Sequence, residues 1–540
     1  MLRYLAIVFI IKILVKNGNC FYPGPRHPPT QGEVWPKPQQ EVKLSEYCTY
    51  KPATFEVTGH TCALLDKAIQ NHLDRLKSLY EISRRYTGVS HADRETRKKL
   101  QNNYMGFLKE LDVQLSSECE DLPYMDMNEK YTLSVANKSK LESASIWGII
   151  RGLDTFTQLF YLANDYTEVR VNSTQIVDFP RYAYRGLMLD TSRHYFSEQT
   201  ILKTLDAMAM NKLNVFHWHI VDHESFPYVS HKFPELSEKG AFHPSMVYSP
   251  QFLAQVVRYA AERGIRVVPE FDVPDHTRSW GQAFPQILTS CSKDPMDLGP
   301  MNPISNLTYS ILADLFDETF SRFPDKYFHL GGDEVDLKCW SNSEPIRKYM
   351  KEHKMTDPKE LLELFMHNVF PILKDRKAIV WQEVFDLNVH LPKNSLIQVW
   401  KWNDVRDWIL KADHLVLFSS NYYLDHLNQN FADFYLTDPR QIVEGAVNKT
   451  LQANIVGGEA CMWGEMVDDQ NVMTRMWPHT SAVAEVLWSS LQNKGREGSR
   501  LERSKKLPEP VLRRIEEHAC RMIRFGVPTQ PPSAPGFCLA

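Results

Sequence analysis

"RGLMLDTSRHYFSEQTILKTLDAMAMNKLNVFHWHI", residues 185–220, decides the fold. A short apolar run, "RGLML", opens it. "SEQTILKTLDAMAMNK" follows, with a serine at a helix start and apolar residues at helical spacing, and the run "NVFHWHI" closes it. A strand, a helix-length crossover and a second strand make the two strands parallel. Six further runs repeat the pattern: "RVVPEF" from 266, "YFHLG" from 327, "AIVW" from 378, "LIQVW" from 396, "LVLFS" from 415 and "NIVGG" from 454. Parallel strands covered on both faces read as continuous apolar stretches. Eight such runs in series predict an α/β fold, a (β/α)8 TIM barrel over 179–540. The late stretch "PEPVLRRIEEHACRMIRFG" would be a helix packed on its outside.

Upstream the pattern changes. Between 46 and 178, "YTLSV" alternates like a strand and "SIWGIIRGLDTFTQLFYL" has helical spacing, so a small α+β domain is expected before the barrel. Residues 21–45 are Pro-rich and read as an extended lead-in. Residues 1–20, "MLRYLAIVFIIKILVKNGNC", read as a secretory signal peptide. No second stretch of ~18 uninterrupted apolar residues occurs, so no membrane span is expected in the mature chain. Four Asn-x-Ser/Thr sequons, at Asn137, Asn172, Asn306 and Asn448, and nine cysteines fit a glycosylated, oxidising route to the lysosome or the exterior. Proximity in sequence suggests Cys62 with Cys119, Cys291 with Cys339, and Cys520 with Cys538, although spacing alone does not fix connectivity. The Cys291–Cys339 bridge would tie down the loop that carries an acid pair. Cys461 reads as a buried thiol, and Cys48 has no evident partner. A formal net charge of −4 gives no sign of a nucleic-acid or membrane-surface binder.

In a barrel of this kind the chemistry sits at the carboxyl ends of the strands. "DTSRHYF" follows the first run, "VDHESFPY" the second and "DVPDHT" the third. The fourth leads through two glycines to Asp333 and Glu334, in "HLGGDEVDLKCW". The fifth ends at Trp381 and the sixth at Trp400, while the eighth gives Trp463 and Glu465. Indole faces stack on sugar rings, and acids and arginines hydrogen-bond hydroxyls. Glycoside cleavage ordinarily uses two carboxylates flanking the bond. Neighbours near a strand end diverge, so Asp333 and Glu334 do not suit that geometry. A 2-acetamido sugar resolves the problem by supplying its own carbonyl oxygen as nucleophile. One acid then protonates the leaving oxygen, and the other holds the acetamido N–H. His276, beside Asp272, is a candidate to support the acid or touch substrate. Arg185, which opens the first strand, is a candidate for the sugar hydroxyls. His217 and His219 share a strand face at a spacing that metal sites use. No further ligand set emerges, so their expected role is hydrogen bonding within the barrel mouth, and no metal or cofactor is expected.

These motifs, together with "VWQEVF", "VGGEACMWGE" and "SAVAEVLWS" in the same order, closely resemble the animal lysosomal β-N-acetylhexosaminidases of glycoside hydrolase family 20. The resemblance implies that Glu334 is the general acid/base and that Asp333 orients the acetamido group. It further implies that Trp381, Trp400 and Trp463 wall the acetamido pocket and that Tyr423 binds the carbonyl oxygen. Arg185, Asp222 and Glu465 would hold the non-reducing end, with His276 near the acid pair. Asp425 implies neutral terminal GlcNAc or GalNAc, on glycoconjugates or chitin oligomers. A homodimer completing each site with a tyrosine from its partner is also implied. There are departures. Asp275 stands where the family usually has glycine, which bears on the pH optimum; Asn421 and Tyr422 replace Pro-Trp; Val486 replaces Arg; and the loop "HLNQNFADF" looks shorter, with no tyrosine to supply the trans contact. Two other readings stay open: a secreted sugar-binding barrel without catalysis, and a metal-dependent barrel hydrolase built on His217 and His219.

Overall fold

In a computed structural model of the chain, the described residues are 30–540 apart from 61, 86–101, 164–167, 295–296, 402–404, 441–448, 491–506, 533–537 and 539–540. The signal-peptide segment and the sequon asparagine Asn448 lie outside them.

Eight strands form the first sheet: β1 (Gln40–Thr49), β2 (Glu56–Gly59), β3 (Tyr104–Phe107), β4 (Glu110–Leu115), β5 (Tyr131–Val135), β6 (Lys138–Ser143), β7 (Phe160–Leu162) and β8 (Val169–Asp178). Their order is β2-β4-β6-β5-β8-β1-β3, with β7 on β8. Helices Ala63–Arg85 and Ile146–Gln158 share a core with this sheet. The alternation in "YTLSV" is the signature of such a half-covered strand: Tyr131, Leu133 and Val135 point into that core.

The barrel strands are β9 (Tyr184–Asp190), β10 (Val215–Val221) and β11 (Arg266–Phe271), then, after a hairpin of β12 (Leu288–Ser290) and β13 (Leu298–Met301), β14 (Tyr327–His329), β15 (Lys377–Trp381), β16 (Leu396–Val399), β17 (Leu415–Phe418) and β18 (Ile455–Met462). All pairs are parallel, and β18 closes onto β9. All eight predicted runs are barrel strands. The barrel is filled in layers. Tyr184, Val215, Val268, Tyr327, Ile379, Leu396 and Leu417 form an apolar floor. Above it lies a buried polar layer containing His217, Glu270, His329, Gln398 and Glu459. Met188, Trp381, Tyr423 and Cys461 cluster above that, with Trp400 and Trp463 against them.

Two expectations change. The Pro-rich segment is more than a lead-in: Trp35 is fully buried, its indole N–H donates to the Ser481 carbonyl, and β1 begins at Gln40. Trp35 also stacks on His518 of the C-terminal helix Glu509–Arg524, so one aromatic side chain joins the chain's two ends to the barrel. Asn172 does not offer a glycosylation nitrogen. Its side chain is buried in β8, Nδ2 donates to the Leu44 carbonyl, and Oδ1 accepts from the Tyr161 hydroxyl, so a glycan there would break the sheet. Asn306 is exposed at the head of helix Asn306–Arg322. Asn137 is half-buried, with Nδ2 donating to the Met105 carbonyl. The bridges Cys62–Cys119, Cys291–Cys339 and Cys520–Cys538 are formed; Cys48 and Cys461 are buried thiols. Among the described residues no helix is long and apolar enough to cross a membrane.

Candidate active site

The double glycine after β14 has a steric cause. Gly331 and Gly332 both have positive φ, 67° and 95°. A Cβ on Gly331 would lie 1.8 Å from Asp272 Oδ1, and the Gly332 N–H donates to that same oxygen at 2.9 Å. Only glycine allows both the turn and this approach. The turn delivers Asp333 inward and Glu334 outward: Asp333 is buried, whereas 58% of the Glu334 side chain is exposed. Glu334 itself has a φ of 54°, a conformation that costs a non-glycine residue on the order of 1 kcal/mol.

A chain of polar groups runs back from Glu334. Its Oε2 lies 3.6 Å from His276 Nε2. His276 Nδ1 is 2.9 Å from Asp222 Oδ1, and Asp222 Oδ2 accepts from His219 Nε2 at 2.6 Å and pairs with Arg193 at 2.8 Å. Burial alone would discharge His276, but the carboxylates of Asp272, Asp222 and Glu334 outweigh it and raise its pKa far above the usual histidine range. His276 in turn is the main cause that holds the Glu334 carboxyl below its ordinary value. Burial works against charge on Asp222, yet hydrogen bonds from His219 and His276 keep its carboxyl well below the carboxylate range. Asp333 stands apart: burial pushes its carboxyl up to about 6, against the opposing pull of His276.

Aromatic side chains cluster near Asp333, whose field reaches Tyr423. The Trp381 and Trp463 rings lie 5.9 Å apart, Tyr423 stacks with Trp400 at 6.0 Å, and Tyr423 approaches Trp463 at 6.5 Å. Two carboxylates pin the indoles: Trp381 Nε1 donates to Glu270 and Trp400 Nε1 to Glu383, both at 2.8 Å. Asp425 is half-buried and Glu465 exposed, and burial raises both carboxyls. The charge of Arg193 pulls the Glu465 carboxyl down, and the field of Asp425 pushes it up.

One expected site residue is misplaced. Arg185 begins β9 at the amino end of the barrel, opposite the acids. It is fully buried, donating to the Tyr182 and Lys212 carbonyls and pairing with Glu129 of the first domain. The arginine at the mouth is Arg193, from the loop after β9. It lies 4.9 Å over the Trp463 ring and pairs with Asp190, Asp222 and Glu224. Position relative to the strand is the signal that separates them: Arg185 precedes the apolar run and Arg193 follows it. Asp272, too, belongs to the site through its contact with the glycine turn. His217 and His219 are engaged within the barrel: His217 bridges Glu459 and Glu270, and His219 bridges Glu270 and Asp222.

Known proteins resemble this chain over most of its length. Residues 182–491 match the model of the glycosyl hydrolase family 20 catalytic domain, and residues 34–159 match one described as beta-acetyl hexosaminidase like. The chain is 37% identical over 524 residues to the Homo sapiens beta-hexosaminidase subunit beta, covering 94% of this chain and 89% of that one. It is 37% identical to the Mus musculus subunit alpha over 527 residues, 94% of each chain. Among solved structures, the chitobiase of Flavobacterium johnsoniae superposes with a TM-score of 0.76 at 28% identity, covering 92% of this chain and 73% of that one.

Proposed function

The chain belongs to glycosyl hydrolase family 20 and is a β-N-acetylhexosaminidase; from that premise we propose that it releases terminal β-linked GlcNAc and GalNAc with the sugar's own 2-acetamido oxygen as nucleophile. The observation that carries the mechanism is the split between two neighbouring acids. Glu334 faces solvent, and Asp333 is buried near the aromatic cluster. Retaining enzymes with an enzyme nucleophile set two carboxyls ~5 Å apart across the bond. The burial of the second carboxyl, near the aromatic cluster to which this reading assigns the acetamido group, supports the alternative.

In the first step Glu334 gives its proton to the glycosidic oxygen. The C1–O bond breaks as the acetamido oxygen bonds to C1, forming a cyclic oxazolinium ion. Asp333 accepts the acetamido N–H and offsets the positive charge, while the Tyr423 hydroxyl donates to the acetamido oxygen. In the second step Glu334, now a carboxylate, takes a proton from water as that water attacks C1; the bond from C1 to the acetamido oxygen breaks, the acetamido group is restored, and the sugar leaves with its configuration retained. His276 and Asp222 hold Glu334 in place, and the charge on His276 steadies the carboxylate that forms. Trp381, Trp400 and Trp463 exclude water, which strengthens each of these interactions. Arg193 takes the role of binding ring hydroxyls that Arg185 cannot fill. Asp425 and Glu465 at the far end repel anionic sugars, which supports neutral substrates. The same reading includes passage through the secretory route to the lysosome or the exterior, and a homodimer.

An aryl β-GlcNAc glycoside tests the reading. The wild type turns it over, and Glu334→Gln lowers kcat by roughly 10²–10⁴-fold. Near-normal activity in that variant would refute the assignment, and an inactive wild type would favour a sugar-binding barrel instead.

A further inference from the structure

We propose that Asp275, together with His223, is a positioning residue for the polar chain behind Glu334, one carboxylate clamping the loops after β10, β11 and β14 that carry Asp222, His276 and Glu334. The inference rests on the function proposed above and deepens it.

Asp275 is buried and meets polar groups from all three loops. Its Oδ1 accepts the His276 backbone N–H at 2.9 Å and faces His223 Nε2 at 3.3 Å; its Oδ2 accepts the Asp336 backbone N–H at 2.8 Å. His223 Nδ1 accepts the Arg278 N–H, which leaves the ring proton on Nε2, facing Asp275. The His223 ring stacks on His276 with centroids 4.7 Å apart and planes 22° from parallel. Burial and the charge on His276 hold His223 down to about 3, so a neutral ring lies on the charged one. The groups facing His276 are Asp222 and His223 from the β10 loop, Asp272 from its own, Glu334 from the β14 loop and Arg193 from the β9 loop. Those facing Asp275 are His223, His276, Arg278 and the Asp336 amide.

Both residues that the clamp serves have costly backbones. His276 and Glu334 have φ of 57° and 54°, and a non-glycine residue holds such a conformation only where its surroundings enforce it. Asp275 is bonded to the amide of one and to the amide two residues past the other. The Cys291–Cys339 bridge joins the same two loops at a distance, and Asp275 aligns them at the reacting groups. Glycine stands here in the family pattern noted from the sequence, so the carboxylate is a feature of this chain.

The test measures steady-state kinetics and backbone hydrogen exchange for the wild type, Asp275→Ala and the isosteric Asp275→Asn. Asp275→Ala lowers kcat about tenfold, since a small misplacement of a catalytic group is costly, and leaves KM within about twofold. Asp275→Asn falls between, and keeps the test usable if the alanine variant does not fold. In both variants the amides of peptides covering 274–278 and 334–338 exchange faster. An active wild type whose variants keep kcat within about twofold overturns the clamp alone, as does unchanged exchange at those amides. A wild type without turnover overturns the underlying function and the clamp with it.

Discussion

Asp272 and Asp333 bring carboxyl oxygens within 4.8 Å of one another in the barrel mouth. Burial raises both carboxyls, and the field of Asp333 raises Asp272 further. Two buried acids this close share a proton. Asp272 is the better holder of it, because burial and the field of Asp333 raise its carboxyl well above the carboxylate range, whereas Asp333 rises only to about 6. Asp333 is thereby free to be the anion that receives the acetamido N–H.

Asp272→Asn therefore keeps an acceptor for Gly332 and a donor for Asp333, and should retain most of the activity. Asp272→Ala removes that donor. A hydrogen bond to a charged group contributes about 1.5–3 kcal/mol, so kcat/KM should fall at least roughly tenfold and its acidic limb should move to higher pH. Kinetics across pH 3–8 check both variants; equal profiles for the two would contradict the shared proton.

The burial of Asp333 should also be visible in stability. The folded Asp333 carboxyl, at about 6, lies above its unfolded value of about 4. A raised carboxyl favours the fold when protonated, so its contribution is present below pH ~4 and is lost as pH rises through ~6. Asp333→Asn removes the buried charge. It should be more stable than the wild type at pH 7 by on the order of 2 kcal/mol, and so melt at higher temperature, yet show no such gain at pH 4, while turnover falls by orders of magnitude. Thermal melts at the two pH values decide it.

The two arginines should separate cleanly. Arg193→Ala should reduce kcat/KM for sugar substrates by roughly 10²-fold, because it removes a charge-assisted contact at the mouth, and its stability loss should be the smaller one, because Asp190 keeps the Ser192 and Gly464 amides and Asp222 keeps His219 and His276. Arg185→Ala should instead cost about 3–5 kcal/mol of stability, since it strips the buried Glu129 of one partner. Kinetics beside thermal melts distinguish them, and the reverse pattern would return Arg185 to the site.

The barrel was legible because its strands are covered on both faces, so each reads as an unbroken apolar run from "RGLML" to "NIVGG". The acid pair and the three tryptophans were legible for a related reason: side chains at strand ends announce themselves by following such runs. Arg185 misled because it touches a run at the wrong end, and what it pairs with, Glu129, lies in another domain. The layer of His217, Glu270, His329 and Gln398 is a product of barrel closure, which no local spacing reports. Asn172 shows the same limit: a sequon carries no information on whether its amide faces water or a neighbouring strand.

The most direct test of the central claim, that the sugar's amide makes the attack, is a series of aryl β-glycosides whose 2-acetamido group carries zero, one, two or three fluorines. Each fluorine weakens the carbonyl oxygen as a nucleophile, and kcat/KM should fall steeply and steadily along the series. A flat response, or equal turnover of the 2-hydroxy glucoside, would contradict it.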